Sequence, residues 1–575
     1  MIKNLPEKFP ISALQNFDFG DAEARDDRLL GECPVPTASI NDFLAGRNDI
    51  VLGFRGTGKS AIVRLLVEGK LKFKSDAESS STIVCLDEEF DYRAIREKLL
   101  KYTEDERDRH MSCRVVWEIL IIYRSLQVVR DQIDSSDSTI KEFIKEIDVL
   151  LGVSTAKPKL LEIILSHKKK IGVKLDAHLP NIVDVYAGLE PTVENRSQEI
   201  EGQVLKIVDY RKYLQRFLHE RKINLYVLFD RLDDFVVHED YATQKLLIQG
   251  LVATQTDYRQ KYQNIKIRSF FRTDLFRKVD LSQFGPDKIF ARCVELHWSP
   301  SELKHLIAKR IAFNLMNALK LNRFEIFIDT DQFLVSRDEL PKLSDSKNTI
   351  NNFDPLSWAH WKKRIWLAYV RSRSRENSGR IQNSSDVVFE SIITSIFPRE
   401  AVHCKKDGIQ ASIDLFDFFD THFQFSHGNA TPRLMLSFMN KCVSAIRDYY
   451  NQNRDLVEIK KNEKGEYPLF VKNAINNAYK SCKKDAWDVQ YQWVEEKWKP
   501  YLAIIEKFSA NNSFSFTQFS KESKSKGDDI KQFLAFVTHT GLLRCQNDRE
   551  RYEDRIYDIP LLFQRGKAAL CPVAK

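Results

Sequence analysis

Short runs of apolar residues alternate, in the first half of the chain, with longer segments in which apolar residues recur every three or four positions. A short continuous apolar run is typical of a buried strand, whereas the three- to four-residue spacing is typical of an amphipathic helix. The predicted strands cover residues 48–52, 81–86, 223–229, 266–271 and 293–297. Strands that alternate with helices predict an α/β fold, in which a parallel sheet carries helices on both faces.

The first predicted strand leads into the glycine-rich segment GFRGTGKSA, and helical spacing follows as far as Gly69. This segment fits the P-loop pattern G-x-x-x-x-G-K-[ST], in which backbone amides and a helix N-terminus hold the phosphates of a nucleotide. Lys59 is expected to reach the β- and γ-phosphates, and the Ser60 hydroxyl to ligate Mg²⁺. A glycine-rich turn without a ligand is the alternative, which the flanking strand and helix disfavour. The residues predicted to bind ATP with Mg²⁺ are Gly53, Phe54, Arg55, Gly56, Thr57, Gly58, Lys59, Ser60 and Ala61.

Acidic residues follow the predicted strand at 223–229, in the sequence DRLDD. Asp230 ends this apolar strand, where an unpaired carboxylate would be costly unless it faced a cation. It matches the Walker B aspartate, which holds Mg²⁺ in P-loop enzymes. Either Asp233 or Asp234 is then expected to polarise the attacking water, and the spacing does not choose between them. A solvated acidic turn is the alternative for any one of these three carboxylates.

Arginines at three positions are candidates for contact with the terminal phosphate. Arg272 ends the predicted strand at 266–271, where its guanidinium would sense the γ-phosphate through paired hydrogen bonds. Arg433 begins a predicted helix after Pro432 and would close over the nucleotide. A surface arginine and an ordinary helix-start arginine are the respective alternatives. Arg292, ahead of the last predicted strand, is a weaker candidate for a finger that reaches a neighbouring subunit.

The succession of segments predicts the domain boundaries. Residues 1–48 form an N-terminal segment that packs on the ATPase core, and residues 49–298 form that core. A helical insertion at about 100–200 is inferred, because the strand expected after 81–86 is not reached until Ile223. The remaining predictions are a helical lid region at 299–451, a linker with helices at 452–499, and a winged helix at 500–575.

The winged helix is predicted from three helical segments that precede a hairpin with a charged tip. The third segment, DDIKQFLAFVTHT, is the one that would enter the major groove of DNA. The predicted phosphate contacts are Lys526, Lys531, Arg544, Arg549 and Arg551. Docking of another protein domain is the alternative, since acidic residues in the hairpin dilute the positive field.

Composition narrows the class of protein further. Of the 575 residues, 43% are hydrophobic and 30% charged, which is typical of a folded soluble chain. The net charge of +8 permits contact with DNA without requiring it. No apolar run approaches the roughly 20 residues of a membrane span, and the start MIKNLPEKFP is unlike a signal peptide. Nine cysteines without a C-x-x-C pair predict free thiols. We therefore expect a cytoplasmic protein without a membrane partner.

Taken together, the P-loop, the VLFDRLDD strand end, Arg272 and the TPR helix start at Arg433 resemble the AAA+ and STAND divisions of P-loop ATPases. The resemblance covers roughly residues 20–450 and implies Mg-dependent ATP hydrolysis by a homo-oligomer. It gives Arg272 contact with the terminal phosphate and Arg433 the role of a second sensor. The sequence departs from many AAA+ enzymes at Arg231, where those enzymes carry a glutamate.

The segment DAEARDDRLL at 21–30, followed by the P-loop and DRLDD, is similar to a group of bacterial single-chain ATPases associated with anti-phage defence. That similarity implies a nucleotide-controlled assembly that acts with an effector or toxin protein encoded nearby. Two other functions stay open: a DNA-binding ATPase of replication-loading or repair type, and an ATP-bound scaffold with negligible turnover. An AAA+ core followed by a winged helix also resembles origin-recognition ATPases, at the level of the fold.

Overall fold

A computed structural model describes much of the chain, and the described residues fall into two compact units. We call Ala38–Arg55 with Ile62–Leu296 the sheet unit, and Met1–Thr37, Gly56–Ala61 and His297–Lys575 the wing unit. The described residues are 2–74, 80–86, 113, 114, 117, 118, 120–122, 124–126, 128, 129, 211–231 except 213, 241–328 except 278, 280, 283 and 284, 331–336, and 384–564 except 407, 408, 426–430, 495, 525–527, 548 and 549.

Strands and helices of these residues are numbered in chain order. The strands are β1 (Ile2–Lys3), β2 (Lys8–Pro10), β3 (Ile50–Gly53), β4 (Ser80–Leu86), β5 (Ile223–Phe229), β6 (Ile265–Arg272), β7 (Cys293–Glu295), β8 (Arg323–Ile328), β9 (Asp331–Ser336), β10 (Glu400–Lys406), β11 (Ile409–Asp414), β12 (Glu458–Lys460), β13 (Ser513–Ser515), β14 (Arg544–Cys545) and β15 (Ile556–Asp558). The helices are α1 (Ala38–Leu44), α2 (Lys59–Val67), α3 (Tyr241–Lys261), α4 (Thr273–Phe276), α5 (Pro286–Phe290), α6 (Pro300–Ala318), α7 (Ser384–Thr394), α8 (Leu415–His422), α9 (Pro432–Gln452), α10 (Lys472–Trp493), α11 (Lys499–Phe508), α12 (Phe516–Ser523) and α13 (Asp528–His539).

The sheet unit is built on a parallel five-stranded sheet with the strand order β4-β5-β6-β3-β7. Each of its strands lies where an apolar run predicted one, so the α/β class is confirmed. Successive residues of β3 pack on opposite faces. Ile50 and Leu52 lie in the core that contains α3 and α5, and Val51 lies in the core that contains α1 and α2. Helices therefore cover both faces of the sheet.

Residues 113 and 117, which belong to the predicted insertion, pack against α3. The described parts of 113–129 and 211–220 are helical. A Cβ placed on Gly250 would lie 2.8 Å from the Cβ of Cys113, which shows how closely the two helices cross. The indole Nε1 of Trp117 donates to the carbonyl oxygen of Leu247 at 3.0 Å. Residues 130–210, which include most of the predicted insertion, lie outside the described residues.

A buried carboxylate fixes the amino-terminal end of β3. Asp49 is 2% exposed, and its carboxylate is paired with three arginines. Arg259 comes from α3, Arg268 from β6 at 2.5 Å, and Arg292 from the residue before β7, with its Nε at 2.9 Å. Burial lowers the pKa of Arg268 and of Arg292, and the charge of Asp49 opposes that shift. The cluster thus joins the starts of β3 and β7 and the middle of β6 to α3.

The wing unit is mostly helical in the described part of 299–451, where four strands interrupt the helices. The helix α6 begins at a capping box in which Ser299 and Glu302 bond each other's backbone amides. The unpredicted strands β8 and β9 pair with each other and with β1, and β10 pairs with β11. Residues 323–326 alternate polar and apolar side chains, and the apolar Phe324 and Ile326 are fully buried. The predicted linker also contributes a strand, because β12 pairs with β2.

Polar side chains of α6 and α9 hold the N-terminal segment of the wing unit through its backbone carbonyls. Arg310 donates to the carbonyl of Phe19 and forms a buried ion pair with Asp27, with 2.5 Å between Nη2 and Oδ2. Asn440 donates to the carbonyl of Gly20 at 2.7 Å. Because the bonds to Phe19 and Gly20 are made to backbone carbonyls, they position the backbone of the segment and not its side chains.

The winged helix predicted at 500–575 is present in the described part of that range. Its order is α11, β13, α12, α13, β14 and β15, and its antiparallel sheet has the order β13-β15-β14. Phe519, Phe533 and Tyr557 are buried between the helices and the sheet. Strand β13 is an addition to the predicted elements. No helix among the described residues has the length and apolar character needed to cross a membrane.

We expect Asp49→Asn to destabilise the sheet unit by about 3–5 kcal/mol, because breaking a buried ion pair leaves the partner charges unpaired. Denaturant unfolding followed by circular dichroism measures the change. Glu458→Gln is the control, since Glu458 forms an exposed pair with Lys8 and such pairs contribute about 1 kcal/mol or less. Equal unfolding midpoints for the two variants would contradict the assigned role of Asp49.

Candidate functional site

The carboxyl ends of the parallel strands place three predicted site residues on one edge of the sheet unit. Gly53, the last residue of β3, pairs in register with Arg272, the last residue of β6. Asp230 directly follows β5, the next strand beyond β6. The chain leaves β3 for the far edge at β4, whereas it leaves β6 for β7 on the other side of β3. Open parallel sheets bind ligands at the carboxyl edge where such a switch in direction occurs.

The glycines of the P-loop adopt the backbone conformation that this motif requires. Gly56 has φ +82° and Gly58 has φ +96°, both in the left-handed region that other residues rarely adopt. Helix α2 begins at Lys59, so Lys59, Ser60 and Ala61 form its first turn. The first backbone N–H groups of a helix have no partner within the helix and bind anions. The loop therefore has the backbone geometry of a phosphate-binding site.

The tip of the loop, Gly56–Ala61, belongs to the wing unit, and two residues of the same unit hold its carbonyl groups. The backbone N–H of Arg433 donates to the carbonyl of Gly56 at 3.5 Å. The indole Nε1 of Trp298 donates to the carbonyl of Thr57 at 2.9 Å. Trp298 was not among the predicted site residues, because no sequence motif marks it.

Of the DRLDD segment, the structure describes Asp230 and Arg231. Asp230 is 6% exposed, as expected of a residue that ends a buried strand. Arg231 has φ +56°, a left-handed conformation in a residue other than glycine. Such strain is characteristic of functional sites, and no sequence signal pointed to it. Asp233 and Asp234 lie outside the described residues, so the choice between them stays open.

The two predicted phosphate sensors occupy different units. Arg272 is the last residue of β6 and precedes the short helix α4, in a half-buried position opposite Gly53. Arg433 is the second residue of α9, and its Nε donates to the carbonyl of Ala22 at 3.2 Å. The N-terminal segment, the start of α9 and the tip of the P-loop thus meet around Arg433. Its predicted contact with the γ-phosphate stays a prediction.

Arg292 does not lie at the carboxyl edge of the sheet. Its backbone carbonyl accepts from Asp49 and Ile50 at the start of β3, and its side chain belongs to the Asp49 cluster. The weaker hypothesis of an arginine finger at this position is therefore wrong for the described arrangement. The cause is the buried carboxylate of Asp49, whose arginine partners no sequence motif marks.

The candidate DNA contacts of the winged helix differ in their surroundings. Arg544 and Arg551 are exposed on the hairpin. Lys531 is half-buried, 3.8 Å from the carboxylate of Asp528 and 5.6 Å from the ring centre of Tyr552. Its charge is thus already in contact with groups of its own domain. The remaining two candidates, Lys526 and Arg549, lie outside the described residues.

The described residues of the P-loop fit the phosphates of a nucleoside triphosphate. The left-handed glycines and the first turn of α2 suit the phosphates, and Lys59 adds a positive charge. Ser60 carries a hydroxyl and Asp230 a carboxylate, and both are oxygen ligands of the kind that Mg²⁺ prefers. Bound Mg²⁺ would neutralise phosphate charge.

Known proteins give little guidance on the function of this chain. No protein-family model and no curated protein matches it. Among solved structures, it is similar to the ORC1 protein of Aeropyrum pernix in complex with DNA, with 9% identity, a TM-score of 0.32 and coverage of 98% of this chain and 96% of that one. The ORC2 protein of the same organism, solved with ADPNP and ADP, gives 8% identity, a TM-score of 0.34 and the same coverage. Because identity and TM-score are this low, the function has to be inferred from the chain's own residues.

Gly56→Ala is expected to weaken ATP binding about tenfold or more, since it adds strain at a positive φ and forces the loop away from α9. A Cβ at Gly56 would lie 2.9 Å from the Cβ of Arg433. Gly69→Ala is the matched control, because Gly69 has φ +69° and a Cβ placed on it would meet no neighbouring atom within 4 Å. Calorimetric titration with ATP compares them, and equal affinities would argue against a phosphate site at the loop tip.

Proposed function

We propose that the chain binds Mg-ATP at residues 53–61 and hydrolyses it. The observation that carries this proposal is the P-loop itself: an interior parallel strand, a turn with left-handed Gly56 and Gly58, and a helix that begins at Lys59. Phosphoryl transfer depends on positioning and on the stabilisation of developing charge, and a P-loop with bound Mg²⁺ would serve both.

Each residue then has a role that follows from its chemistry. The loop amides and Lys59 hold the β- and γ-phosphates, while the Ser60 hydroxyl and Asp230 position Mg²⁺. Asp233 or Asp234 orients the water, and its carboxylate takes up the proton that the water loses. Arg272 contacts the terminal phosphate, and Arg433 acts as a second sensor of the nucleotide at the start of α9. These assignments rest on the motif and on the places of the described residues in the fold.

We expect Lys59→Ala to abolish detectable ATP binding and Asp230→Asn to spare binding but lower turnover about 100-fold or more. The first removes the cation on the phosphates, and the second removes a charge needed to position Mg²⁺. Asp448→Asn is the control, since Asp448 is an exposed residue of α9. Calorimetric titration and phosphate release measure the two effects.

The outcomes of these assays separate the competing hypotheses. If Lys59→Ala leaves ATP affinity unchanged, the P-loop assignment is wrong. If Asp230→Asn keeps the parental rate, DRLDD is only a strand-end turn. A parental chain that binds ATP without turnover under all conditions would favour the scaffold, in which ATP is a structural or switching ligand.

DNA binding by the winged helix is a second candidate function, and the exposed arginines of the hairpin favour it. Arg544→Glu is expected to weaken duplex binding and to make the logarithmic dependence of affinity on salt shallower by about one, the change for a single phosphate neighbour. Lys464→Glu is the matched control, because it makes the same charge change at an exposed residue outside the winged helix. Equal effects of the two substitutions in mobility-shift titrations at several salt concentrations would favour a protein-docking module.

Nucleotide-controlled self-assembly in anti-phage defence, together with an effector or toxin protein, is the biological role that we propose from the sequence resemblance. Light scattering of the chain with and without ATP tests the assembly. An equal molar mass with and without ATP would contradict nucleotide-controlled assembly. Stimulation of ATP turnover by duplex DNA would instead favour a DNA-binding ATPase of the replication-loading or repair type.

A further inference from the structure

The side chain of Trp298 forms a hydrogen bond with the backbone of the P-loop tip. Its indole Nε1 lies 2.9 Å from the carbonyl oxygen of Thr57. Trp298 is 8% exposed and Thr57 is 2% exposed, so water has little access to this bond. Within the wing unit, Ser299 follows Trp298 directly and caps α6, with φ −71° and ψ 155°. The indole is therefore attached to a fixed helix start.

The direction of this bond determines which way the next amide points. A trans peptide holds its C=O and its N–H on opposite sides. The carbonyl of Thr57 points to the indole, so the N–H of Gly58 points away from it. In the same way, the carbonyl of Gly56 accepts from the N–H of Arg433, so the N–H of Thr57 points away from α9. Two successive amides of the loop are thus oriented from outside.

Hydrogen bonds from residues outside the loop matter because the loop itself is rich in glycine. Glycine loses more conformational entropy on ordering than any other residue, and the loop tip contains Gly56 and Gly58. A loop that is ordered before it meets its ligand binds more tightly than one that must become ordered on binding. Trp298 supplies such order through an uncharged donor.

We propose that Trp298 is a positioning residue of the nucleotide site, which holds the P-loop tip in the conformation that receives the β-phosphate. This inference rests on the proposed function. It differs from the sensor roles of Arg272 and Arg433, because Trp298 acts through the Thr57 carbonyl whether or not a γ-phosphate is present. The affinities for ATP and for ADP should therefore depend on Trp298 to the same extent, and the rate of the hydrolysis step should not depend on it.

The test uses the full chain and compares Trp298→Phe with Trp487→Phe. Both substitutions keep an aromatic ring and remove one buried indole donor. Trp487 donates to the carbonyl of Phe563 at 3.1 Å, away from the P-loop. Calorimetric titration is expected to show that Trp298→Phe raises the Kd for ATP and for ADP by the same factor of about five, with kcat at saturating ATP unchanged. Trp487→Phe should leave both Kd values at the parental level.

Trp298→His provides the second variant, since its ring retains an N–H that can donate. It is expected to bind ATP more tightly than Trp298→Phe, and it also serves if Trp298→Phe fails to fold. The proposal is overturned if Trp298→Phe binds ATP like the parent, if Trp487→Phe weakens binding equally, or if only ATP and not ADP is affected. A parental chain that binds neither nucleotide would overturn the proposed function itself, which is a different result from equal affinities of parent and variants.

Discussion

The sheet unit depends on a charge that is buried where the interior strand β3 begins. The carboxylate of Asp49 requires partners, since a buried charge without them would be prohibitively costly. Arg259, Arg268 and Arg292 supply them from α3, β6 and the start of β7. These pairings fix the level at which β3 enters the sheet. Because a strand has a constant rise, its other end is fixed as well, and Gly53 comes to lie beside Arg272.

The sequence predicted those parts of the fold whose cause is local. Buried parallel strands are nearly continuous in apolar residues, so INLYVLF at 223–229 identified β5 without any knowledge of its neighbours. The P-loop was predictable for the same reason, since its glycines, lysine and serine are close together in the chain. Strands β8 and β9 were missed, because polar and apolar residues alternate over only four residues of β8 and do not alternate in β9, which is a weak signal beside the strong helical pattern of α6.

Residues that act through distant partners could not be found in this way. Arg292 precedes a strand and was a reasonable finger candidate, but its partner Asp49 lies in a remote part of the chain. Trp298 had no motif to mark it, because an indole that donates to a carbonyl leaves no constraint on the identity of Thr57. Backbone carbonyls are bound again at Phe19, Gly20 and Ala22. The wing unit thus relies on contacts that sequence patterns do not encode.

Gly56 lies close to Arg433, and this contact depends on the packing at residue 433 and not on its charge. The atom of Arg433 nearest to a Cβ at residue 56 is itself a Cβ, which every residue except glycine carries. Replacement of Arg433 by alanine would remove the guanidinium and keep the surface against which the loop packs. The requirement for glycine at residue 56 therefore does not depend on the sensor role proposed for the guanidinium, and it persists with any side chain at 433 that carries a Cβ.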